Sequence, residues 1–307
     1  MKIDLYIVQK ILNLLDKYKK LRTRPLVKRI EWAEFIGDKS KIVFNLKNGF
    51  KMFLYADSML SKLIYEDFED TEEAFIRMFL NEGDIFFDIG ANVGYHTLNA
   101  GSILKDNGLI YAFEPTAKTF KRLQDNIALN NLGLNVKAMQ IGLSDSNTTL
   151  TLNVSESNND AYNSFADLKH IKTTKQQQVQ VYTLKDIVEQ EKISVKDIAL
   201  IKIDVEGWEI NVLRGMEDMF NNPDFNPCFL IEFTEENMFM AGYSCRELYK
   251  FLQNKGYYWN SYNPLSNSVT VSELKAYYPY ENLIASKKPE QLNCKLKKNA
   301  NRLISVV

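Results

Sequence analysis

Ile85-Phe-Phe-Asp-Ile-Gly-Ala-Asn-Val-Gly94 is the stretch whose reading decides the fold. Its first five residues are of strand length and apolar except for Asp88, and Gly90 and Gly94 bracket a turn into a helical segment, Tyr95–Leu104. Glycine takes the tight conformations such a turn needs and lets a ligand approach the backbone. The helix start beyond it offers N–H groups to an anion or a polar group. The alternation then repeats down the chain. Strands are predicted at Leu109–Phe113, Val136–Ile141, Ala199–Val205 and Cys228–Phe233, and helices at Ala117–Asn130, Asp186–Glu191, Glu209–Phe220 and Cys245–Asn254. Strands separated by helices of this length imply βαβ units and a parallel sheet covered on both faces. Tyr257–Tyr262 and Leu283–Ala285 complete it as an antiparallel edge. The expectation is an α/β, Rossmann-like fold with a mostly parallel, seven-stranded central sheet.

Outward from this core the pattern changes. Residues 1–70 read as an extension. Ile3, Ile7, Ile11, Leu14, Leu15, Tyr18 and Leu21 form one helical stripe, and Asn48-Gly49 sits between two apolar runs as a hairpin turn. Thr71–Leu80 opens the core as a helix, and the main domain is expected over 71–290. It is interrupted at 146–185 by two strand-like segments (Thr149–Val154 and Val179–Tyr182) around polar sequence. Insertions beside the strand ends of such a sheet commonly shape the substrate site. Residues 291–307 read as a basic tail.

With 45% apolar and 25% charged residues over 307 positions, the chain is ordinary globular material. No run approaches the ~18 apolar residues that span a bilayer. Met1–Leu21 lacks the apolar core of a secretion signal, and Cys228, Cys245 and Cys294 are far apart and unpaired in spacing. Both point to a reduced, cytoplasmic setting, with the cysteines forming neither a disulfide frame nor a zinc site. Residues 1–30 carry a net +7 and residues 287–302 a net +5, so an overall charge of −1 leaves −13 for the middle. An acidic middle repels phosphate and argues against nucleic acid as partner. The basic N-terminal helix packs on its own domain, associates with a second copy, or lies at the inner membrane surface.

The chemistry sits at the strand ends. Asp88 precedes the turn, and Glu114 ends the next strand, where an acidic residue reaches the hydroxyls of a ribose. A dinucleotide needs Gly-x-Gly-x-x-Gly and a P-loop needs Gly-Lys-Ser/Thr, and both are absent. Asp88 would repel a phosphate but suits an ammonium group. S-adenosylmethionine, with an ammonium, a sulfonium, a ribose and an adenine, is the ligand these residues fit. Asp145, after the third strand, can accept the adenine amino group or simply form a turn before Asn147. The fourth strand runs into Asp204, Glu206 and Glu209, with Glu232 near the end of the fifth. These carboxylates suit removal of a hydroxyl proton or grip on a polyol. Glu206 and Glu209 have an alternative use in satisfying helix N-terminal amides. His96 and His170 are the two histidines, and His170 lies in the insertion.

Together, Asp88-Ile-Gly-Ala-Asn-Val-Gly-Tyr-His-Thr-Leu, Ala112-Phe-Glu-Pro, Gly142-Leu-Ser-Asp, Val181-Tyr-Thr-Leu and Lys202-Ile-Asp-Val-Glu-Gly-Trp-Glu resemble the FkbM-type methyltransferases from about Phe50 to Ala285. The resemblance implies a class I methyltransferase fold and O-methylation of hydroxyls on sugars, glycans or polyketides. It assigns Asp88, Gly90, Ala91, Asn92, Gly94 and Glu114 to the cofactor, and Asp204, Glu206 and Glu209 to the reaction edge. Lys185 departs from the family's Asp after Thr-Leu and leaves open how the following helix is capped. As general base the order of expectation is Glu206, then His170 and Asp204. The rival readings are N-methylation of a small molecule or peptide, a cofactor-binding assembly subunit without catalysis, and a nicotinamide dehydrogenase.

Overall fold

The computed structural model describes residues 32–66, 70–155, 163–166 and 173–304. The helix expected over 3–21, with the membrane-surface or self-association role attached to it, lies outside them. The chain divides into two compact units, Met1–Ser40 and Lys41–Val307. The described part of the first is a short helix, α1 (Trp32–Ile36). The predicted hairpin lies in the second unit.

In chain order that unit contains β1 (Lys41–Asn45), β2 (Lys51–Tyr55), α2 (Met59–Tyr65), α3 (Asp70–Phe79), β3 (Ile85–Ile89), α4 (Tyr95–Leu104), β4 (Leu109–Phe113) and α5 (Ala117–Leu129). There follow β5 (Val136–Met139), β6 (Gly142–Leu143), β7 (Thr148–Ser155), β8 (Thr173–Tyr182), α6 (Leu184–Gln190), β9 (Ile198–Ile203), α7 (Glu209–Arg214) and β10 (Cys228–Phe233). The remainder is α8 (Glu235–Met240), α9 (Cys245–Asn254), β11 (Tyr258–Asn263), β12 (Ser268–Val271), β13 (Glu281–Ser286) and α10 (Pro289–Ile304).

The central sheet has the order β12-β11-β13-β10-β9-β3-β4-β5. Its five strands from β10 to β5 are parallel, while β13, β11 and β12 pair antiparallel. It is therefore eight-stranded rather than seven. The additional strand, β12, is four residues long and half exposed, too short and too polar to announce itself. β10 is buried at every position, as a strand covered on both faces must be. Sequence order runs outward from β3 through β4 to β5 and restarts at its other side with β9. This β3/β9 boundary is the topological switch point, where ligands bind beyond the carboxyl ends of the strands.

The third strand is shorter than expected. It stops at Met139, and Gly142–Leu143 leaves the central sheet to pair with β8. The insertion is thus a second sheet, β6-β8-β7, with its own small core of Leu152, Val179 and Val181 and with Phe165 against them. Lys185 does not disturb α6. Thr183 caps that helix, its Oγ1 accepting from the Asp186 N–H at 3.1 Å.

The expected basic tail is also different. Residues 289–304 form α10, which buries Leu292 and Leu296 and pairs the Asn293 side chain with both backbone groups of Val269 on β12. The helix therefore covers the open edge of the sheet. Among the described residues no helix is long and apolar enough to cross a membrane.

Candidate active site

The turn after β3 keeps its own N–H groups. Those of Gly90 and Ala91 donate to the Phe113 carbonyl at 3.1 and 2.9 Å, and that of Gly94 to the Ala91 carbonyl at 2.9 Å. The Asn92 N–H goes to Glu114 Oε2 at 3.2 Å, and the Val93 N–H to Asn92 Oδ1 at 2.8 Å. The N–H groups expected to await an anion are, from 90 to 94, satisfied within the protein. Glu114 is buried at the end of β4, and its other oxygen takes the Thr116 N–H at 2.8 Å. It anchors the turn through these two bonds.

Gly90 is required, but for a reason other than ligand approach. Its φ is +82°, and a Cβ there would lie 1.8 Å from the Asp204 carbonyl oxygen. The glycine lets the ends of β3 and β9 touch at the switch point, where the Asp204 N–H also donates to the Ile89 carbonyl at 3.1 Å.

Asp88 is 0% exposed. Thr97 Oγ1 donates to its Oδ2 at 2.6 Å, while Oδ1 is buried without a hydrogen bond. Directly across the ladder stands Lys202, also buried, with its ammonium 3.9 Å from Asp88 Oδ1 and 3.0 Å from Asp204 Oδ2. Sequence reasoning passed over this lysine. The signal was present, since a lysine between two isoleucines in a buried strand needs a partner. It also revises the charge argument, because Asp88 does not present an uncompensated negative charge.

β9 ends at Ile203, so Asp204 and Glu206 do not share a strand face. Glu206 is left-handed, with φ +55°, and Gly207 follows at +99°, its Cα so close to α8 that a Cβ would meet the Asn237 carbonyl at 2.5 Å. A non-glycine residue held at positive φ marks a position the surrounding structure overdetermines. Asn237 Nδ2 donates to Glu206 Oε2 at 2.6 Å, another contact that the sequence did not signal. The tight turn still brings the carboxylates together. One oxygen from each of Asp204, Glu206 and Glu232 lies within 4.8 Å of the other two.

Glu209 takes the amide-capping role. It is buried, and one oxygen accepts from the Val205 and Gly207 N–H groups at 3.0 and 3.2 Å. Burial pushes its pKa up to about 7, against the pull of these bonds. Burial likewise holds Glu232 well above the usual carboxylate range, with the charges of Glu206, Asp204 and Glu209 adding to it.

The remaining expected residues are less central. Asp145 is exposed, its Oδ1 accepting from the Ser144 and Ser146 hydroxyls. His96 is buried in α4 with its ring edge-on to Tyr95. His170 lies outside the described residues. The insertion reaches both sides of the switch point. Ser164 Oγ donates to the Glu206 carbonyl at 2.6 Å, and Phe165 packs on Trp208. Gln177 Nε2 donates to the Pro115 carbonyl at 3.4 Å, beside Glu114.

A family model, the methyltransferase FkbM domain, matches residues 88–258. The chain is similar to Methyltransferase 1 of Beauveria bassiana, 32% identical over 146 residues, covering 43% of this chain and 57% of that protein. It is also similar to hexuronic acid methyltransferase AglP of Haloferax volcanii, 27% identical over 158 residues, covering 50% and 60%. A solved FkbM methyltransferase from Methylobacillus flagellatus is 12% identical with a TM-score of 0.44, covering 67% of this chain and 44% of that one. The matched stretch thus spans under two thirds of the length of these curated relatives.

Proposed function

We propose that this chain, which belongs to the FkbM methyltransferase family, methylates a hydroxyl of a sugar, glycan or related natural product. The cofactor is S-adenosylmethionine, which supplies an electrophilic methyl group on a sulfonium. The residues fit it. The Asp88 oxygen buried without a hydrogen bond suits an ammonium group, and the N–H groups of the turn from Gly90 to Gly94 are already engaged within the protein. In this reading Asp88, Gly90, Ala91, Asn92 and Gly94 line the amino-acid end, Glu114 the ribose, and Asp145 the adenine.

The observation that carries the choice of a hydroxyl acceptor is Glu206. It stands at the switch point on a left-handed residue, with Asn237 orienting its carboxylate. A hydroxyl must lose its proton as its lone pair attacks carbon, and a fixed carboxylate can take it. Alignment of the two reactants supplies much of the rest, up to roughly 7–11 kcal/mol. The insertion, tied to both Pro115 and Glu206, forms the wall of the acceptor pocket. The methylation of hexuronic acid named for the Haloferax relative is in keeping with a sugar-type acceptor.

The test separates binding from turnover. Calorimetry should show S-adenosylmethionine binding lost in Asp88→Ala and retained in Glu206→Gln, whereas methyl transfer to candidate glycans should be lost in both. Full turnover by Glu206→Gln would remove Glu206 as the base.

A further inference from the structure

Three carboxylates from three different segments converge beyond the switch point. Asp204 follows β9, Glu206 sits on the left-handed turn, and Glu232 comes from β10, with one oxygen of each inside 4.8 Å of the others. Oxygens bound to one small divalent ion at about 2.1–2.4 Å are separated by roughly 3.0 Å when adjacent and at most ~4.8 Å when opposed. The three oxygens lie within the upper limit of that range.

Glu232 is a second and separate observation. Its side chain is 5% exposed, points into this cluster, and makes no hydrogen bond or ion pair among the described residues. Native proteins leave buried carboxyls without partners rarely, because the loss of hydration goes uncompensated. Lys202 acts on Glu232 as a nearby positive charge, while its ammonium is directed at Asp204 and Asp88.

We propose that Asp204, Glu206 and Glu232 form a site for a hard divalent cation such as Mg²⁺ or Mn²⁺. Ion binding follows from this geometry alone, whereas its use on an acceptor rests on the hydroxyl-methylation reading above. Three protein oxygens leave the other positions of a six-coordinate ion to water or to the acceptor. A hydroxyl bound there is acidified by the ion. Its proton passes to a carboxylate oxygen not engaged by the metal. Its lone pair forms the O–CH₃ bond as the S–CH₃ bond breaks, and that bonding pair stays on sulfur, leaving a neutral thioether. An acceptor with two neighbouring oxygens, as on a sugar ring, would chelate the ion and be oriented by it.

The experiment is a titration of the full chain, stripped with chelator, with Mn²⁺, reading free Mn²⁺ by electron paramagnetic resonance. One saturable site per chain is expected, competed by Mg²⁺. Glu232→Gln, which keeps the side-chain shape, and Asp204→Asn should each weaken it roughly 10–100-fold. Asp224→Asn, on the exposed surface, should leave it unchanged. Circular dichroism of each variant verifies that it is folded, and the wild-type titration stands if a variant is not. Absence of a saturable site in the wild type, or equal affinity in folded Glu232→Gln and Asp204→Asn, overturns the proposal. One bound Mn²⁺ without methyl transfer to any hydroxyl acceptor supports the site and counts instead against the acceptor reading.

Discussion

Gly90→Ala tests what holds the switch point together. A Cβ at this position would lie 1.8 Å from the Asp204 carbonyl oxygen, against an ordinary C···O contact of about 3.3 Å. The ends of β3 and β9 must then part by roughly 1.5 Å, which breaks the bond from the Asp204 N–H to the Ile89 carbonyl. Losing that bond costs about 1 kcal/mol, the left-handed alanine about 1–2 kcal/mol, and the imposed strain about 1–3 kcal/mol. The sum is roughly 3–6 kcal/mol, and at about 2–4 °C per kcal/mol for a domain of this size Tm should fall by at least ~6 °C. Two other glycines calibrate the measurement. Gly133 has open space and an ordinary φ, so Gly133→Ala should be near neutral. Gly242 has open space at φ +85°, so Gly242→Ala carries the conformational cost alone. Thermal denaturation of the three variants, with S-adenosylmethionine affinity by calorimetry, gives the ladder. If Gly90→Ala costs no more than Gly242→Ala, the backbone contact is not what demands glycine here.

Other perturbations test neighbouring parts. Lys202→Met removes the ammonium from a fully buried Asp88 and should cost about 3–5 kcal/mol in urea denaturation; adding Asp88→Asn should recover part of it, and a loss under ~1 kcal/mol would refute the compensation. Asn237→Ala releases the Glu206 carboxylate, a charge-assisted bond of about 1.5–3 kcal/mol. Its turnover should fall roughly 10–100-fold with S-adenosylmethionine affinity unchanged, as measured by single-turnover methyl transfer and calorimetry. Ser244→Ala dismantles the capping box that Ser244 and Glu247 form at the start of α9, and should cost about 1 kcal/mol in chemical denaturation without affecting transfer.

Much of this fold is legible because its central strands are buried on both faces. Ile85–Ile89, Leu109–Phe113 and Cys228–Phe233 are apolar but for Asp88 and Glu232 near their carboxyl ends, and they form as expected. The elements that escape notice are those whose character depends on neighbours. β12 has one well-buried residue, Val269, and exists because Asn293 and β11 hold it. α10 hides Leu292 and Leu296 among lysines, so its charge is more conspicuous than its apolar stripe. The same holds in the site. Asp88, Glu114, Asp204 and Glu206 stand in motifs, but Lys202 gains meaning from lying opposite Asp88 across the ladder, and Asn237 from a contact 31 residues away.

The turn itself shows why a charge-based choice of cofactor needed a second leg. Asp88 alone argued against phosphate, yet Lys202 lies 3.9 Å from it and offsets much of that repulsion. Hydrogen bonding supplies the firmer reason. A pyrophosphate is held by several backbone N–H groups at a helix start. Here the five from Gly90 to Gly94 are directed to Phe113, Glu114, Asn92 and Ala91. To accept a phosphate, the turn would have to surrender bonds that fix Glu114 and join β3 to β4. A ligand that offers donors, such as an ammonium or ribose hydroxyls, asks for no such exchange, since Asp88 Oδ1 is an unfilled acceptor and the carboxylate of Glu114 has lone pairs beyond the two amides it takes. The preference for a sulfonium cofactor over a dinucleotide thus lies in which hydrogen-bonding partner the turn lacks, and it survives the neutralisation of Asp88.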